Sequence, residues 1–327
     1  MASSTSKAEE VTGYVEETPK QQGKVGRHCR RFWWIWLIAF CLFVLVIMII
    51  IVYAILPAVS QKEIDKTVLN LHSFTILEPS PTSLLLSLNS TITGAGGIAA
   101  HARLDPMNVS FFLEDHKPID PFMYLKLPSI KGGSSVPVIT TNVTTEIASV
   151  SALTEFSALL LGSETLRVAI RGRSTLRAGK LHTKVNYNEV ITIKGFNQLK
   201  GMEIEEYNLL NRTQQSDGSN LGGKVLIPNP TVFDIQMGDV HINLSFNGQA
   251  LGNGTIPGLH VRPGNHTYDF RARVQTAALL RLAAAGGGNP VVLDVRGNGT
   301  DINGVSIPWL AEPLSSLEVK VPIKARE

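Results

Sequence analysis

An uncharged run at residues 32–56 decides how this chain is organised; it reads FWWIWLIAFCLFVLVIMIIIVYAIL, and Pro57 follows it. As a helix, these 25 residues extend about 37 Å, which exceeds the roughly 30 Å hydrocarbon core of a bilayer. Aromatic residues of the kind enriched at membrane interfaces lie near both ends: Trp33, Trp34, Trp36 and Tyr53. The run therefore predicts a transmembrane helix, in preference to a soluble helix buried on every face.

The charges that flank this helix predict its orientation. The cations on its N-terminal side are Lys20, Lys24, Arg27, Arg30 and Arg31. The C-terminal flank mixes both signs in Lys62, Glu63, Asp65 and Lys66. Because cytoplasmic flanks carry the excess of Lys and Arg, we expect residues 1–31 in the cytoplasm and the chain after residue 56 in a lumen or outside the cell. Arg30 and Arg31, with the four aromatic residues above, are the predicted membrane-interface residues.

A cleaved signal peptide is the competing interpretation, because Ala58-Val59-Ser60 resembles a small-residue cleavage site. Signal peptides have an apolar core of about 7–15 residues and a short basic start, and this chain exceeds both lengths. We therefore expect an uncleaved signal anchor and a single-pass type II membrane protein.

Composition limits the classes of function. The net charge is +3, but the part beyond the helix holds 24 of the 30 basic and 23 of the 27 acidic residues. Such a balance does not favour nucleic acid as a partner. The N-terminal tail, residues 1–31, is rich in Ser, Thr, Glu, Lys and Gln in its first 24 residues and is predicted to be disordered.

The two cysteines, Cys29 and Cys41, both lie at or before the membrane helix. The region beyond residue 56 therefore has no disulfide, no thiol nucleophile and no Cys-ligated zinc. Cys29 is juxtamembrane and is a candidate for palmitoylation, with an unmodified cytosolic thiol as the alternative.

Acceptor sequences for N-glycosylation, Asn-X-Ser/Thr, agree with this topology. They occur at Asn89, Asn108, Asn142, Asn211, Asn243, Asn253, Asn265 and Asn298. All eight lie beyond the helix, although the tail contains no Asn and offered no chance for one.

Period-two alternation dominates the chain beyond the helix and predicts half-buried antiparallel strands. The clearest cases are residues 83–93, 240–246 and 317–324. Asn247-Gly248 follows the second of these and predicts a hairpin turn, because both residues tolerate positive φ. Two short helices are predicted at residues 151–161 and 276–285, each ended by glycine.

An internal repeat relates these elements. The stretch IRGRST at residues 170–175 matches VRGNGT at 295–300, an offset of 125 that places the two helices at equivalent positions. A repeat of this length is the size of a domain. We therefore expect a mainly β chain with two tandem antiparallel β-sandwiches, residues 58–205 and 206–327, each with one short helix.

Three segments carry a family resemblance: Ile-Pro-Asn-Pro-Thr at 227–231, Gly-Asp-Val at 238–240 and Leu-Gly-Asn-Gly-Thr-Ile-Pro-Gly-Leu at 251–259. With a short tail and one helix, they resemble a fungal family of single-pass, vacuolar-type membrane proteins of unknown function. Its tandem domains are similar to the type-2 late-embryogenesis-abundant (LEA-2) domain of plants. The resemblance implies seven-stranded, fibronectin-like sandwiches, a vacuolar membrane location and, for some members, control of autophagy. It implies no catalytic residues.

Two polar clusters have the composition of a binding site. Glu114, Asp115, His116 and Asp120 have the chemistry of a metal site, but the prolines around them favour a solvated loop. Arg167, Arg171, Arg173 and Arg177 form a basic run on the face opposite Val168 and Ile170. A solvated face is the default for such a run, with anionic lipid or protein binding as the alternative.

The sequence thus predicts a non-enzymatic, membrane-anchored luminal interaction or scaffold module, without a cofactor or metal. Its partners are expected to be the membrane and other luminal or membrane proteins. The alternative is binding or transfer of a lipid or other apolar ligand by the sandwiches. The vacuolar membrane is the expected location, followed by the endoplasmic reticulum or the cell surface.

Overall fold

Helix α1 spans Lys24–Ile50 and is followed by a π-helical turn, Ile51–Ile55, and helix α2, Leu56–Ile64. The computed structural model describes residues 24–97, 99–117, 119–210, 215–275, 277 and 291–323. The stretch Trp33–Ile64 is helical, contains an 18-residue segment with a mean hydropathy of 3.4 and is long enough to cross a membrane. The predicted long apolar helix near the N-terminus is therefore confirmed.

Proline commonly ends a helix, but Pro57 lies inside α2. A proline has no N–H to donate, and its ring crowds the carbonyl four residues earlier, which here is that of Tyr53. The wider π-helical turn at Ile51–Ile55 surrounds Tyr53 and relieves that crowding.

The part from Leu56 onward forms a compact unit of its own and is built mainly of strands. Its first half contains β1 Val68–Leu77, β2 Ser83–Thr93, β3 Arg103–Leu104, β4 Met107–Leu113, β5 Met123–Leu127, β6 Ile130–Lys131, β7 Ser135–Glu146, β8 Thr165–Ala178 and β9 Leu181–Lys194. Its second half contains β10 Glu203–Leu209, β11 Leu221–Asn229, β12 Phe233–Phe246, β13 Gln249–Val261, β14 Gly264–Val274, β15 Val292–Ile302, β16 Val305–Ser306 and β17 Glu318–Pro322. The helices are α3, Val150–Gly162, and α4, Pro308–Ser316.

The period-two patterns correspond to strands. Residues 83–93 form β2, residues 240–246 end β12, and most of residues 317–324 form β17. Asn247 and Gly248 have φ values of 51° and 74° and connect β12 to β13 in a hairpin, as predicted. The apolar face of each strand is buried because it meets a second sheet, whereas the polar face remains at the surface.

The two halves share one strand order. In the second half the order of neighbours is β10-β11-β14-β13-β12-β15-β17. In the first half it is β1-β2-β7, then β5-β4-β8-β9 across the single bridge between Met123 and Ile147. When the two-residue strands β3, β6 and β16 are left out, strands at the same place in the two orders also have the same rank along the chain, which is what a duplication requires.

The halves are nevertheless joined in one sheet. Strand β1 pairs in parallel with the start of β12, where Phe74 lies opposite Phe233 and Ile76 opposite Ile235. The result is an 11-stranded sheet that contains strands of both halves, beside a six-stranded sheet of the first half. The predicted boundary between residues 205 and 206 falls inside β10, so the division into two separate domains stays a prediction.

One buried core runs through both halves. Its centre is a set of five phenylalanines with ring centroids 4.7–6.3 Å apart: Phe74, Phe111, Phe122, Phe156 and Phe233. Four of them come from the first half, and the fifth comes from β12 of the second.

The helices differ in part from the predicted ones. The helix expected at 151–161 is α3, and Ser149 caps it by accepting a hydrogen bond from the Ala152 N–H at 3.3 Å. The helix expected at 276–285 lies outside the described residues, apart from Ala277. Helix α4 was not predicted, and α3 packs against it. Helix α3 therefore contacts the second half as well as Phe122 of its own half.

Candidate interaction surface

An open groove of about 890 Å³ lies on the outer face of the six-stranded sheet. We call it the β8 groove. It is lined by Pro106, Met107, Asn108, Ser110, Lys126, Arg171, Gly172, Arg173, Asn186 and Asn188. These residues come from strands β4, β5, β8 and β9, except Pro106, which directly precedes β4.

Strand register arranges the groove in rows. Ser110 on β4 lies opposite Arg171 on β8, which lies opposite Asn188 on β9. In the next row Arg173 is opposite Asn186. Gly172 forms the floor between the rows, because a Cβ atom there would come within 2.9 Å of a Val109 methyl group.

The groove is positively charged. Its lining residues include three cations and no carboxylate. Arg171 is held over the ring of Phe112, 5.3 Å from its centroid, and lies 3.5 Å from Glu114. Lys126 and Arg173 are exposed and form no ion pair with any residue that the structure describes. The groove thus combines two unpaired cations with amides and a hydroxyl, a combination that suits an anionic or strongly polar partner.

The predicted basic run is largely neutralised outside the groove. Arg167 pairs with Asp115 at 2.9 Å, and Arg177 pairs with Asp105 at 2.8 Å. Only Arg171 and Arg173 of the run line the groove. Because exposed ion pairs add little stability, their main effect here is to confine the free positive charge to the groove.

The predicted acidic cluster does not converge on one point. Glu114 and Asp115 face different arginines, and His116 Nδ1 lies 2.5 Å from Glu155 Oε1. Across the described ranges, no three His, Cys, Asp or Glu side chains are grouped so that they could hold a metal. The segment that follows β4 therefore contacts arginines of β8 and Glu155 of α3 through its charged side chains.

Two further histidine–carboxylate pairs lie in the second half, at different positions along β12. His241 Nε2 is 2.7 Å from Asp301 Oδ2, and that hydrogen bond lowers the pKa of Asp301. His260 Nε2 is 2.5 Å from Asp234 Oδ1. The Thr255 hydroxyl contacts His241 Nδ1 at 3.1 Å, and the Tyr268 hydroxyl donates a hydrogen bond to the backbone carbonyl of His260 at 2.7 Å.

The seven described glycosylation acceptors are all exposed. They lie on outward positions of strands: Asn89 on β2, Asn108 on β4, Asn142 on β7, Asn243 on β12, Asn253 on β13, Asn265 on β14 and Asn298 on β15. Asn211 lies outside the described residues. Six of the seven belong to the larger sheet, and only Asn108 borders the β8 groove.

The predicted membrane-interface aromatics are exposed on their helix: Trp33, Trp34, Trp36 and Tyr53 are 51%, 63%, 65% and 78% exposed. The side chains of Cys29, Arg30 and Arg31 lie outside the description. Cys41, inside the apolar stretch, is exposed and free.

Three small apolar cavities lie in the interior of the described part. Their volumes are about 20, 30 and 50 Å³. Such spaces admit one or two water molecules, whereas small-molecule sites have volumes of roughly 300–1,000 Å³.

Sequence reasoning identified Arg171 and Arg173 but missed Lys126, Asn186 and Asn188. Alternation alone places these three on the polar face of their strands. Their assembly into one groove depends on the pairing of β8 with β4 and β9, which period-two patterns do not specify.

Comparisons with known families match two overlapping regions. Residues 120–244 match a family described as protein of unknown function (DUF3712), and residues 224–307 match the family Late embryogenesis abundant protein. Each match covers less than half of the chain. The second contains the three segments that carried the resemblance to the LEA-2 domain. No curated protein matches the chain.

Solved structures overlap only weakly. A solution structure of a protein from Arabidopsis thaliana has a TM-score of 0.26 and 10% identity, over 38% of this chain and 80% of that one. The YadV chaperone has a TM-score of 0.18 and 10% identity, over 79% and 99%. CBD12 from CALX1.2 has a TM-score of 0.20 and 10% identity, over 73% and 82%. Overlaps this low carry no argument about function.

Proposed function

We propose that this protein is a non-enzymatic, membrane-anchored interaction module that binds an acidic partner protein in the β8 groove. The observation that carries this proposal is the local imbalance of charge: Lys126 and Arg173 have no ion-pair partner among the described residues, and no carboxylate lines the groove. Opposite charge on a partner would steer association and fix its orientation.

The helix at Trp33–Ile64 supplies the anchor in this proposal. The cation-rich N-terminal flank supports a cytoplasmic tail, and the sequons support a luminal fold. A vacuolar membrane location, a fungal source and a link to autophagy rest on the family resemblance alone. They are part of the same proposal.

The small volume of the apolar cavities described above supports a surface function over the alternative of lipid transfer. The cavity of about 50 Å³ is lined by Phe196, Met202 and Leu314, among others, with side chains from both halves. An acyl chain would have to displace several of these buried side chains.

Charge reversal tests the groove. Lys126→Glu with Arg173→Glu reverses both unpaired cations, and Arg271→Glu with Arg273→Glu is the matched control on exposed positions of β14. A photo-crosslinking residue at Asn188 should capture a partner in membranes from cells that make the native-charge protein or the control. That adduct should be lost in the groove variant and at high salt. Equal capture by all three proteins would refute the groove as the binding surface.

The orientation has a separate test. In sealed vesicles, added protease should remove only the N-terminal tail, while a glycosidase applied after solubilisation should collapse a ladder of glycoforms. Protection of the tail would reverse the proposed topology, and a mature chain that starts near Gln61 would mean that the helix is a cleaved signal.

A further inference from the structure

Strand β7, Ser135–Glu146, is an edge strand of the larger sheet. It pairs with β2 along its whole length. On its other side, the described residues provide only the bridge between Ile147 and Met123, just beyond its C-terminal end. Most of the outer edge of β7 is therefore open to pairing with another strand.

The sequence of β7 favours self-association through this open edge. Residues 135–145 carry no charge, and eight residues of the strand are β-branched. Long, uncharged segments of high β-propensity are the kind that pair with copies of themselves. Pro137 removes one donor from the edge. Ile139 is 57% exposed in the middle of the strand.

Two glycosylation acceptors flank that exposed isoleucine. Asn89 on β2 is the direct cross-strand partner of Ile139, which places their Cβ atoms about 4.5–5.5 Å apart. Asn142 lies three residues along β7 from Ile139. Both asparagines are exposed and belong to complete sequons, Asn89-Ser90-Thr91 and Asn142-Val143-Thr144.

The backbone presents Asn142 outward. It has a φ of 50° at a point where the pairing of β2 with β7 shifts in register. Its Oδ1 accepts a hydrogen bond from the Ser87 hydroxyl at 3.1 Å, and its own N–H donates to Ser87 Oγ at 2.9 Å. These bonds fix the side chain and leave its Nδ2 without a hydrogen bond to any described residue.

We propose that N-glycans on Asn89 and Asn142 cover Ile139 and the free edge of β7, and that they prevent β7 from pairing with β7 of a second copy. A second copy is the partner to be excluded because two identical uncharged strands can pair about a two-fold axis. This inference needs the fold to be luminal, as in the proposed function, but it does not depend on the β8 groove.

The modification itself is a group transfer from a lipid-linked oligosaccharide diphosphate. The Asn Nδ2 forms a bond to C1 of the first sugar, the bond from C1 to the diphosphate oxygen breaks, and Nδ2 loses one proton. The lipid diphosphate leaves. The resulting glycan is bulky and hydrophilic, so it blocks approach along the edge on which it stands.

The test uses the full-length chain in eukaryotic cells. Asn89→Gln and Thr144→Ala together remove both sequons while they keep Asn142 and its contacts with Ser87. A single thiol, Ile139→Cys, in a background with Cys29→Ser and Cys41→Ser, reports β7 pairing as a disulfide-linked dimer. We expect the dimer fraction to rise several-fold when the two sequons are removed. Asn265→Gln with Asn298→Gln removes two sequons from β14 and β15 instead and should leave that fraction unchanged.

A charged edge separates pairing from misfolding. Two proteins that both lack the two sequons are compared: one retains Ile139, and the other carries Ile139→Lys. Any self-association of the first should be absent from the second, because a lysine on an edge strand opposes pairing. Self-association that persists in this variant would overturn the proposal. So would the absence of glycan on Asn89 and Asn142 in the native protein by mass spectrometry, or a dimer fraction that does not respond to loss of the two sequons.

Discussion

Trp309 links the second half of the folded region to the first through one side chain. It is 1% exposed, and its Nε1 donates a hydrogen bond to the carbonyl of Ser80 at 2.9 Å. Trp309→Phe retains an aromatic ring but leaves that carbonyl without its donor, so we expect a loss of about 1–3 kcal/mol in the free energy of unfolding. Chemical denaturation followed by circular dichroism measures it. Val305→Ala, at a side chain 52% exposed, is the control and should cost under about 0.5 kcal/mol; equal losses would contradict the assignment.

Glu189 provides a pH-dependent prediction at the same scale. Burial raises the pKa of Glu189, and the Leu69 N–H, at 3.3 Å, acts against that rise. Since the folded state then holds its proton to higher pH than the unfolded state, the stability from this group is present at low pH. It is lost as pH rises from the ordinary carboxyl range through the raised value. Glu189→Gln keeps the acceptor without the charge and should raise the midpoint of thermal unfolding at pH 7, but not at about pH 4. A gain of the same size at both pH values would refute this cause.

Helix α3 depends on Phe156 at the scale of a single element. Phe156 is 3% exposed and stacks on Phe122, with ring centroids 4.7 Å apart and an angle of 18° between the planes. A helix of 13 residues is only marginally stable alone, so its stability comes from this contact with the sheets. Phe156→Asp places a charge in the core and should cost several kcal/mol. Ala158→Asp, on the exposed face of α3, introduces the same side chain in water and should cost only about 0.7 kcal/mol in helix propensity. Denaturant midpoints of the two variants decide the matter.

The elements show where sequence reasoning succeeds and where it fails. Alternation identified β2, β12 and β17 because each has one face in water and one in the core. Helix α4 escaped it because Pro313 lies inside the helix, where a proline normally argues against helical structure, whereas Pro308 stands at the first position, where proline is tolerated. Tertiary packing overrides the effect of Pro313 here, since Trp309 and Leu310 are buried at 1% and 3% exposure.

At the scale of the whole molecule, the shared core predicts that both halves unfold together. Strand β1 pairs in parallel with β12, and the ring centroids of Phe74 and Phe233 are 5.2 Å apart. The apolar core is therefore continuous from one half to the other. Region 56–327 should therefore show one transition, because a two-state unit loses all its parts at once. Hydrogen exchange in β13 and β14 reports the second half, and hydrogen exchange in β4 and β8 reports the first. Two separate midpoints would show that the halves are independent.

This union of the halves could not be predicted from the repeat. Matching stretches at residues 170–175 and 295–300 indicate a duplication, and the two halves do share a strand order. A duplication alone does not specify whether the two copies form separate domains or whether a strand of one copy pairs with a strand of the other. The β8 groove has the same origin, because Lys126 and Arg173 belong to different strands whose approach depends on register.

The pairing of β1 with β12 also imposes an order on biosynthesis. Phe74 cannot pack against Phe233 until Phe233 has been synthesised, and Phe233 lies 159 residues later in the chain, from position 74 to position 233. At roughly 5–20 residues per second, translation needs on the order of ten to thirty seconds to cover that distance. During this interval β1 has its β2 partner but not its second neighbour, and the first half is exposed to chaperones and modifying enzymes in an unfinished state. Truncation anywhere before β12 should therefore leave a nascent chain that the cell retains and degrades, even when the whole first half has been made.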